Sequence, residues 1–260
     1  MTSFWQYEAM KDFSDVLKFW RKSRRFSQMD LALEANVSTR HIAFLETGRA
    51  KPSPDMIDRL GEALKIPLDA RNQLFNKAGF SNRYAGRAWD AEDMAPVRLA
   101  MEQMLDRHAP YPGFAFDRRW NLIRMNQPAK LLFSSFGIEE GSSILDFLTS
   151  DMLPDIIENW PEVAHHAAQR LRTESADQGG VPEFDRVAAK LSTVLITSQP
   201  TRSPVIPTVF KLGDMRLSLF AIIAQFGTPE DVALDDVKIE LYFPSDPQSD
   251  AILQQMAKGA

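Results

Sequence analysis

The chain has 260 residues, of which 44% are hydrophobic and 25% charged, a composition that suits one large globular domain or two small ones. It contains no cysteine, which excludes disulfides and thiolate metal sites. The first residues lack the order of a signal peptide, and the longest strongly apolar run, 217–224, is too short to span a bilayer, so we expect a cytoplasmic protein.

The net charge of −5 is unevenly distributed along the chain. Residues 1–80 hold 13 Lys and Arg against 10 Asp and Glu, whereas residues 81–260 hold 17 against 25. Within 18–51 the count is eight basic residues to three acidic ones. This pattern fits a small anion-binding module joined to a larger acidic domain, although a solvated helix face would give the same local excess.

The first eighty residues contain signals for five short helices. Apolar residues from Val16 to Trp20 recur at helical spacing, with a basic outer side of Lys18, Arg21, Lys22, Arg24 and Arg25. Ser27, Ser38 and Ser53 are placed as N-caps, Asn36 suits a tight left-handed turn, and Gly48 can end a helix. We predict a first helix around 16–25 and further helices near 28–35, 39–47, 54–64 and 68–78.

The third of these helices is short and exposes hydrogen-bonding groups in its first turn. A helix of this kind fits the major groove of DNA, where the first turns reach base edges. We predict that Thr39, Arg40 and His41 contact bases and that Gln28, Arg49 and Lys51 contact phosphates. Ser38 and Phe44 complete the predicted DNA-binding set.

Three segments carry a resemblance to a known family: "FSQMDLALEANVS", "LETGRAKPS" and "MIDRLGEALKI". Residues 14–79 resemble the Cro/repressor (XRE) helix-turn-helix family, an all-α five-helix domain. The resemblance implies that 39–44 lie in the major groove. Two departures are mild: Asn36 stands where glycine is common, and Ala35 where a larger aliphatic residue is common.

The periodicity changes after residue 110. Alternating residues predict two strands at 114–116 and 120–123 and three more at 205–211, 215–225 and 237–243, with 215–225 as a central strand. Helices are predicted at 127–136, 144–148, 152–160, 162–174 and 184–195, and the polar tail after Pro244 is expected to fray at its end. The order indicates an α+β, PAS-like domain with an antiparallel sheet of about five strands.

Three further stretches, "HAPYPGFAFDRRWNLIRMN", "AQFGTPEDVALDDVKIELYFPSD" and "RHIAFLETGRAKPS", are similar to the MmyB-like transcription regulators. The resemblance implies an XRE domain joined to a PAS-like domain with a pocket for a fatty-acyl or similar apolar molecule. We expect a helix-turn-helix domain at 1–80, a linker and connecting helix at 81–110 and the ligand-binding domain at 111–260. The connecting helix, 95–107, carries an apolar stripe at 97, 101, 104 and 105. We expect it to pack on the C-terminal domain, while a spacer between domains or a dimer contact stays open.

Aromatic residues are abundant in this domain, and such residues both fill cores and line pockets. We predict that ligand contacts come from the sheet and its facing helices. The set is Phe114, Phe116, Trp120, Arg124, Leu132, Phe136, Leu217 and Leu219. Arg124, His108 or Asn126 is the expected partner of a ligand head group.

No phosphate loop, zinc-protease motif or nucleophile elbow is present in the sequence, and the adjacent His165 and His166 point about 100° apart on a helix. We therefore expect no catalysis, metal or cofactor. The expected function is a dimeric DNA-binding regulator that senses a small apolar ligand. Two alternatives stay open: a C-terminal domain used only for dimerisation or protein contacts, and an enzyme or lipid carrier.

Overall fold

The computed structural model describes residues 9–195, 204–227, 229–235 and 237–258. The chain divides into two compact units. The N-terminal unit holds the described residues of Met1–Gly86, Leu171–Arg186 and Pro229–Asp235, and the C-terminal unit those of Arg87–Arg170, Val187–Thr228 and Asp236–Ala260. The domain boundaries given above stay predictions.

Helices of the described residues begin with five short ones, as the sequence pattern predicts. The helices in chain order are α1 (Phe13–Ser23), α2 (Gln28–Glu34), α3 (Thr39–Glu46), α4 (Pro54–Ala63), α5 (Leu68–Lys77), α6 (Ala95–Arg107), α7 (Gln127–Phe133), α8 (Ile144–Leu148), α9 (Leu153–Ile156), α10 (Trp160–Asp177), α11 (Pro182–Leu191), α12 (Val232–Asp235) and α13 (Pro247–Lys258). Short 3-10 turns at Glu92–Met94 and Ser134–Phe136 lie directly before α6 and after α7.

The caps and turns of α1 to α4 are those expected from the sequence. The hydroxyls of Ser27, Ser38 and Ser53 each accept a hydrogen bond from the main chain of the first turn that follows. Asn36 has a φ of 52°, which confirms the left-handed turn between α2 and α3. Gly48, with a φ of 69°, follows the end of α3 and lets the chain leave the helix.

A buried ion pair joins α1 to α3. The Arg21 guanidinium donates to both carboxylate oxygens of Glu46, at 2.5 and 2.9 Å, and to the carbonyl of Phe26 at 2.8 Å. The Gln28 amide donates to the same carboxylate at 2.7 Å. Burial opposes ionisation of Glu46, but the hydrogen bonds from Arg21 and Gln28 outweigh it, so the pKa of Glu46 is lowered. The pair joins the last turn of α3 to the last turn of α1.

Arg24 has a different internal role in the same unit. Its guanidinium donates to the carbonyls of Leu64 and Lys65 after α4 and to those of Ala176 and Asp177 at the end of α10, over 2.6–3.2 Å. Terminal carbonyls of a helix lack partners within the helix and carry partial negative charge. The prediction that Arg21 and Arg24 belong to an outer basic side is therefore wrong, because both guanidinium groups bind acceptors inside the unit.

The C-terminal unit contains one antiparallel sheet in its described residues. Its strands are β1 (Gly113–Phe116), β2 (Leu122–Met125), β3 (Thr208–Leu212), β4 (Met215–Gln225) and β5 (Lys238–Pro244). Their order is β2-β1-β5-β4-β3, so the predicted α+β fold with five strands is confirmed. The predicted central strand, β4, has a neighbour on each side. The middle strand of the sheet is β5, because two strands lie on each side of it.

The two faces of the sheet bury different sets of side chains, since successive residues of a strand point to opposite faces. On one face Ala115, Val237 and Ile239 pack against Met101 and Leu105 of α6. The expectation that the connecting helix packs on the C-terminal domain is therefore confirmed. The opposite face carries Phe114, Phe116, Phe210 and Leu219 and lies below α8, α9 and α10.

Several predicted bounds are wrong near turns, and one helix after Pro244 was not predicted. Trp120 precedes β2 with a φ of 63° and is part of a turn. The predicted helix at 152–160 is two elements, α9 and the start of α10. The tail after Pro244 forms α13, in which Ser249 and Leu253 are buried, and the Ser249 hydroxyl accepts from the main-chain N–H of Ser218 at 2.9 Å. Tertiary packing against β4 orders a segment whose composition is polar.

Asn126 connects three elements of the C-terminal unit. Its amide nitrogen donates to the carbonyls of Leu105 and Tyr111, each at 2.9 Å. Its amide oxygen accepts from the N–H groups of Gly113 and Ala129, each at 3.0 Å. The side chain is 2% exposed, so each of these four partners would lose a hydrogen bond in a dry environment without it.

We predict that Asn126→Asp lowers the free energy of unfolding by about 3 kcal/mol, because the new carboxylate still accepts but no longer donates to the two carbonyls. Urea denaturation monitored by circular dichroism measures this change. Gln127→Glu makes the same amide-to-acid change at the exposed neighbouring position and serves as the control. Equal stability of the two variants would show that the donated bonds contribute nothing.

We predict that Glu46→Gln lowers the free energy of unfolding by about 3 kcal/mol at neutral pH, because it leaves the buried Arg21 charge without its counter-ion. The lowered pKa of Glu46 means that its contribution is complete above the unfolded value of about 4.3 and is lost as pH falls through the folded value. The stability difference from wild type should therefore shrink in acid. Glu34→Gln, on the exposed side of α2, is the control, and a pH-independent difference would contradict the ion-pair account.

Candidate nucleic-acid interface and apolar cavity

The first turn of α3 presents polar side chains at the surface. Thr39 and Arg40 are exposed and His41 is half-buried, while Ile42 and Leu45 on the opposite side are fully buried. Ser38 is exposed, but its hydroxyl accepts from the His41 N–H at 3.2 Å and so serves as the helix cap. The two sides of this helix differ because the large aliphatic residues stand at positions 42 and 45, on the face that packs inward.

Arg40 lies over the ring of Phe44 on the same helix, with 5.2 Å from its guanidinium carbon to the ring centroid. Phe44 is half-buried and supports the guanidinium by a cation–π contact. Arg49 and Lys51 are exposed just beyond the end of α3. These groups form a surface with exposed donors and basic charge, which is the chemistry required for contacts to base edges and phosphates.

Gln28 is placed differently from the other predicted DNA contacts. It is half-buried at the start of α2, and its amide nitrogen donates to Glu46. The structure therefore gives this side chain an internal hydrogen bond within the Arg21–Glu46 network. Its predicted phosphate contact, like the other DNA contacts named from sequence, stays a prediction.

An apolar cavity of about 300 Å³ lies on the sheet face opposite α6. Its walls come from the strands and from α8, α9 and α10, and they are mostly aromatic and aliphatic. Representative lining residues are Phe114, Phe116, Phe133, Phe147, Trp160, Phe210, Leu219 and Ile223. The volume is at the lower end of the range of about 300–1,000 Å³ found for ligand pockets.

The structure brings together half of the predicted ligand contacts. Phe114, Phe116, Trp120 and Leu219 line the cavity. Leu132, Phe136 and Leu217 do not belong to its lining. Leu132 and Leu217 are buried in the core, and Phe136 stacks on Phe147 and Phe210, which line the cavity.

Arg124 lies on the wrong face of the sheet to reach the cavity. A register shift between Ala115 and Phe116 pairs Phe116 with Leu122 but Ala115 with Arg124. Leu122 therefore shares the cavity face with Phe116, and Arg124 shares the opposite face with Ala115. There Arg124 lies within 3.6 Å of the carboxylates of Glu102 and Glu140. A bulge of this kind leaves no clear signal in a four-residue strand.

The other two predicted head-group partners are also absent from the cavity lining. Asn126 uses all four of its hydrogen bonds in the core, as described above. His108 makes a 2.8 Å hydrogen bond to the carbonyl of Tyr242, and burial lowers the pKa of its imidazole. Both side chains therefore have structural roles.

The ion pair of the cavity wall comes from residues that sequence reasoning missed, and the His166 imidazole and the Thr208 hydroxyl also line the cavity. Glu240 on β5 is 6% exposed, forms an ion pair with Arg170 of α10, and accepts a 3.2 Å hydrogen bond from the Tyr242 hydroxyl. Burial, with Glu240 beside it, raises the pKa of the Tyr242 phenol well above its ordinary value, so that phenol stays protonated. The available signal was the stretch "KIELYF", in which alternation places Glu240 and Tyr242 together on one face of a buried strand.

Trp120 positions the Arg170 guanidinium, whose carbon lies 4.5 Å from the Trp120 ring centroid. The residue has a left-handed backbone that is rare for bulky side chains and costs of order 1–3 kcal/mol. The turn is held by Asp117, whose carboxylate accepts from the main-chain N–H groups of Arg119 and Asn121 at 2.8 and 2.9 Å. The strained turn therefore places the indole against Arg170 at the cavity wall.

The described residues contain no group of three or more His, Asp or Glu side chains that could hold a metal ion. Among the helices within 9–195, 204–227, 229–235 and 237–258, none is long and apolar enough to cross a membrane.

Comparison with known proteins identifies two family segments. Residues 97–256 match the ligand-binding domain of the MmyB-like transcription regulators, and residues 17–70 match a helix-turn-helix family. Over 72 residues the chain is 38% identical to the HTH-type transcriptional repressor RghR of Bacillus subtilis (strain 168). That match covers 27% of this chain and 51% of the relative, so the chain spans about half of the relative's length.

Two solved structures are similar at low sequence identity. The PAS domain of Bordetella pertussis BvgS is matched with a TM-score of 0.31 and 10% identity, covering 64% of this chain and 99% of that one. An RNA-binding light-oxygen-voltage receptor is matched with a TM-score of 0.28 and 10% identity, covering 97% of this chain and 65% of that one.

The family model for the C-terminal segment covers more than half of the chain, and the helix-turn-helix match lies in the unit that contains α1 to α5. The chain therefore belongs to the MmyB-like transcription regulators, and it combines a DNA-binding helix-turn-helix with the ligand-binding domain of that family.

Proposed function

We propose that the protein is a cytoplasmic, homodimeric transcription regulator whose affinity for its operator changes when a small, mostly apolar molecule of fatty-acyl type occupies the cavity. The observation that carries the proposal is the cavity itself, which has aromatic and aliphatic walls and a few convergent polar groups. A domain used only to hold two subunits together has no need of such a space, because well-packed interiors leave few voids larger than a water molecule.

DNA contact is proposed for the exposed first turn of α3 and the basic residues after it. Arg40 would donate to a guanine and Thr39 to a neighbouring base, while Arg49 and Lys51 would bind phosphates. A homodimer would place two copies of α3 on half-sites about one helical turn of DNA apart. If the two copies of α3 exchange between two arrangements, ligand binding shifts that equilibrium only by the difference in ligand affinity between them.

We predict different effects of Arg40→Ala and Arg49→Ala on DNA binding. Loss of Arg40 should cost about 1–3 kcal/mol on the preferred operator and relax discrimination at one base pair. Loss of Arg49 should lower the affinity for all DNA sequences alike. It should also reduce the slope of log affinity against log salt concentration by about 0.9, the value for one neutralised phosphate. Titration of duplexes obtained by in vitro selection, at several salt concentrations, measures both effects.

Arg59→Ala, at an exposed position on α4, is the matched control and should leave both the discrimination between base pairs and the salt dependence of binding unchanged. Identical behaviour of the Arg40 and Arg49 variants across all sequences would contradict this division of roles. Sedimentation of the protein–operator complex tests the homodimer independently, since one bound chain per two-fold site would overturn it.

We predict that purified full-length protein retains a stoichiometric apolar molecule that mass spectrometry detects in an organic extract. Leu219→Trp should reduce its occupancy to less than about a tenth of wild type, because the larger side chain takes up the free space in a close-packed wall. Ile222→Trp, at a half-exposed neighbouring position on the opposite face of β4, is the control. Failure of the protein to bind any apolar molecule, retained or added, would favour the alternative in which the domain serves only assembly.

A further inference from the structure

Among the described residues that line the cavity, Arg170 and Glu240 form an ion pair and neutralise each other. The His166 imidazole, one helical turn before Arg170 on α10, and the Thr208 hydroxyl also line the cavity. Glu240 lies on the middle strand of the sheet with its side chain 8% exposed, and that of Arg170 is 27% exposed. The Tyr242 hydroxyl donates to the other oxygen of the same carboxylate. Arg170, Glu240 and Tyr242 therefore contribute one cation, one anion and one hydroxyl to the lining.

Arg170 is held from a second direction by aromatic rings. Its guanidinium carbon lies 4.5 Å from the centroid of the Trp120 ring and 5.6 Å from that of Phe116. These contacts stabilise the cation where it meets Glu240. Turning Arg170 towards a second anion would weaken its pairing with a buried carboxylate, and an uncompensated buried charge is strongly unfavourable.

This charge balance has a consequence for the head group of a ligand. A carboxylate entering the cavity would bring a second negative charge close to Glu240, and an alkylammonium would bring a second positive charge close to Arg170. Like charges within a few ångströms in a poorly solvated site disfavour each other's ionised forms. A neutral head group avoids both costs and can still exchange hydrogen bonds with the carboxylate and the guanidinium.

We propose that the cavity selects apolar chains with a neutral, hydrogen-bonding head group, such as long-chain alcohols, amides or esters, over free fatty acids and alkylamines. This inference rests on the proposed function, since it specifies the ligand of the same cavity. Arg170 and Glu240 are then the specificity-determining residues, and their role is to exclude charged head groups.

The test uses full-length protein stripped of bound molecules and four probes with the same chain: decanol, decanamide, decanoate and decylamine. Affinities are measured by calorimetry at neutral pH, where the acid and the amine are ionised. Wild type should bind decanol and decanamide at least about tenfold more tightly than decanoate or decylamine. Tightest binding of decanoate or decylamine by wild type would overturn the inference while leaving the ligand-binding proposal intact.

Two variants change the charge in opposite directions. Glu240→Gln leaves the Arg170 cation and should raise the affinity for decanoate relative to decanol by at least about tenfold. Arg170→Met leaves the Glu240 anion and should raise the relative affinity for decylamine by a similar factor. Because the shifts have opposite signs, a general loss of packing cannot produce both, and either variant that folds gives a result.

Glu158→Gln is the matched control, because Glu158 forms a 3.0 Å ion pair with Arg216 in which both side chains are about half exposed. Its preference among the four probes should equal that of wild type. An unchanged preference in both cavity variants would overturn the inference. If none of the four probes binds to any variant or to wild type, the ligand-binding proposal is overturned and this inference with it.

Discussion

The alternation of side chains along β5 determines how the C-terminal unit is built. Ile239 points to the face covered by α6 and contributes to the apolar core there. Glu240 and Tyr242, at the alternate positions of the strand, point to the opposite face and line the cavity. Because β5 is the middle strand, this alternation separates the sheet into one face that is packed and one that borders free space. A shift of one residue would exchange the two faces.

Each unit contains a buried or half-buried arginine paired with a buried glutamate, but the two pairs serve different purposes. Arg21 also donates to the Phe26 carbonyl, and Gln28 donates to Glu46, so this pair stabilises the packing of α1 against α3. Arg170 and Glu240 instead border a cavity. The first pair holds α3 against α1, whereas the second pair places charged groups in the lining of the cavity.

Much of the fold follows from local signals, and the errors occur where local signals are weak. The bounds of α8 and β4 agree with those predicted, because apolar runs with clear periods and turn residues at each end define them. The helix α13 was missed because its composition is polar and its order comes from packing of Ser249 and Leu253. Arg124 was misplaced because a register shift in a short strand reverses the side to which it points.

The sequence by itself determined the helix caps of α2 to α4, the left-handed turn at Asn36, the exposed first turn of α3 and the five strands, since these depend on residues close together in the chain. Only the tertiary structure decided that Arg21 is buried, that Arg24 binds main-chain carbonyls, that Glu240 meets Arg170 across 70 residues of sequence, and that a cavity remains above the sheet. A cavity is the volume left between elements that are distant in sequence. Its size and polarity therefore depend on packing distances that no local pattern records.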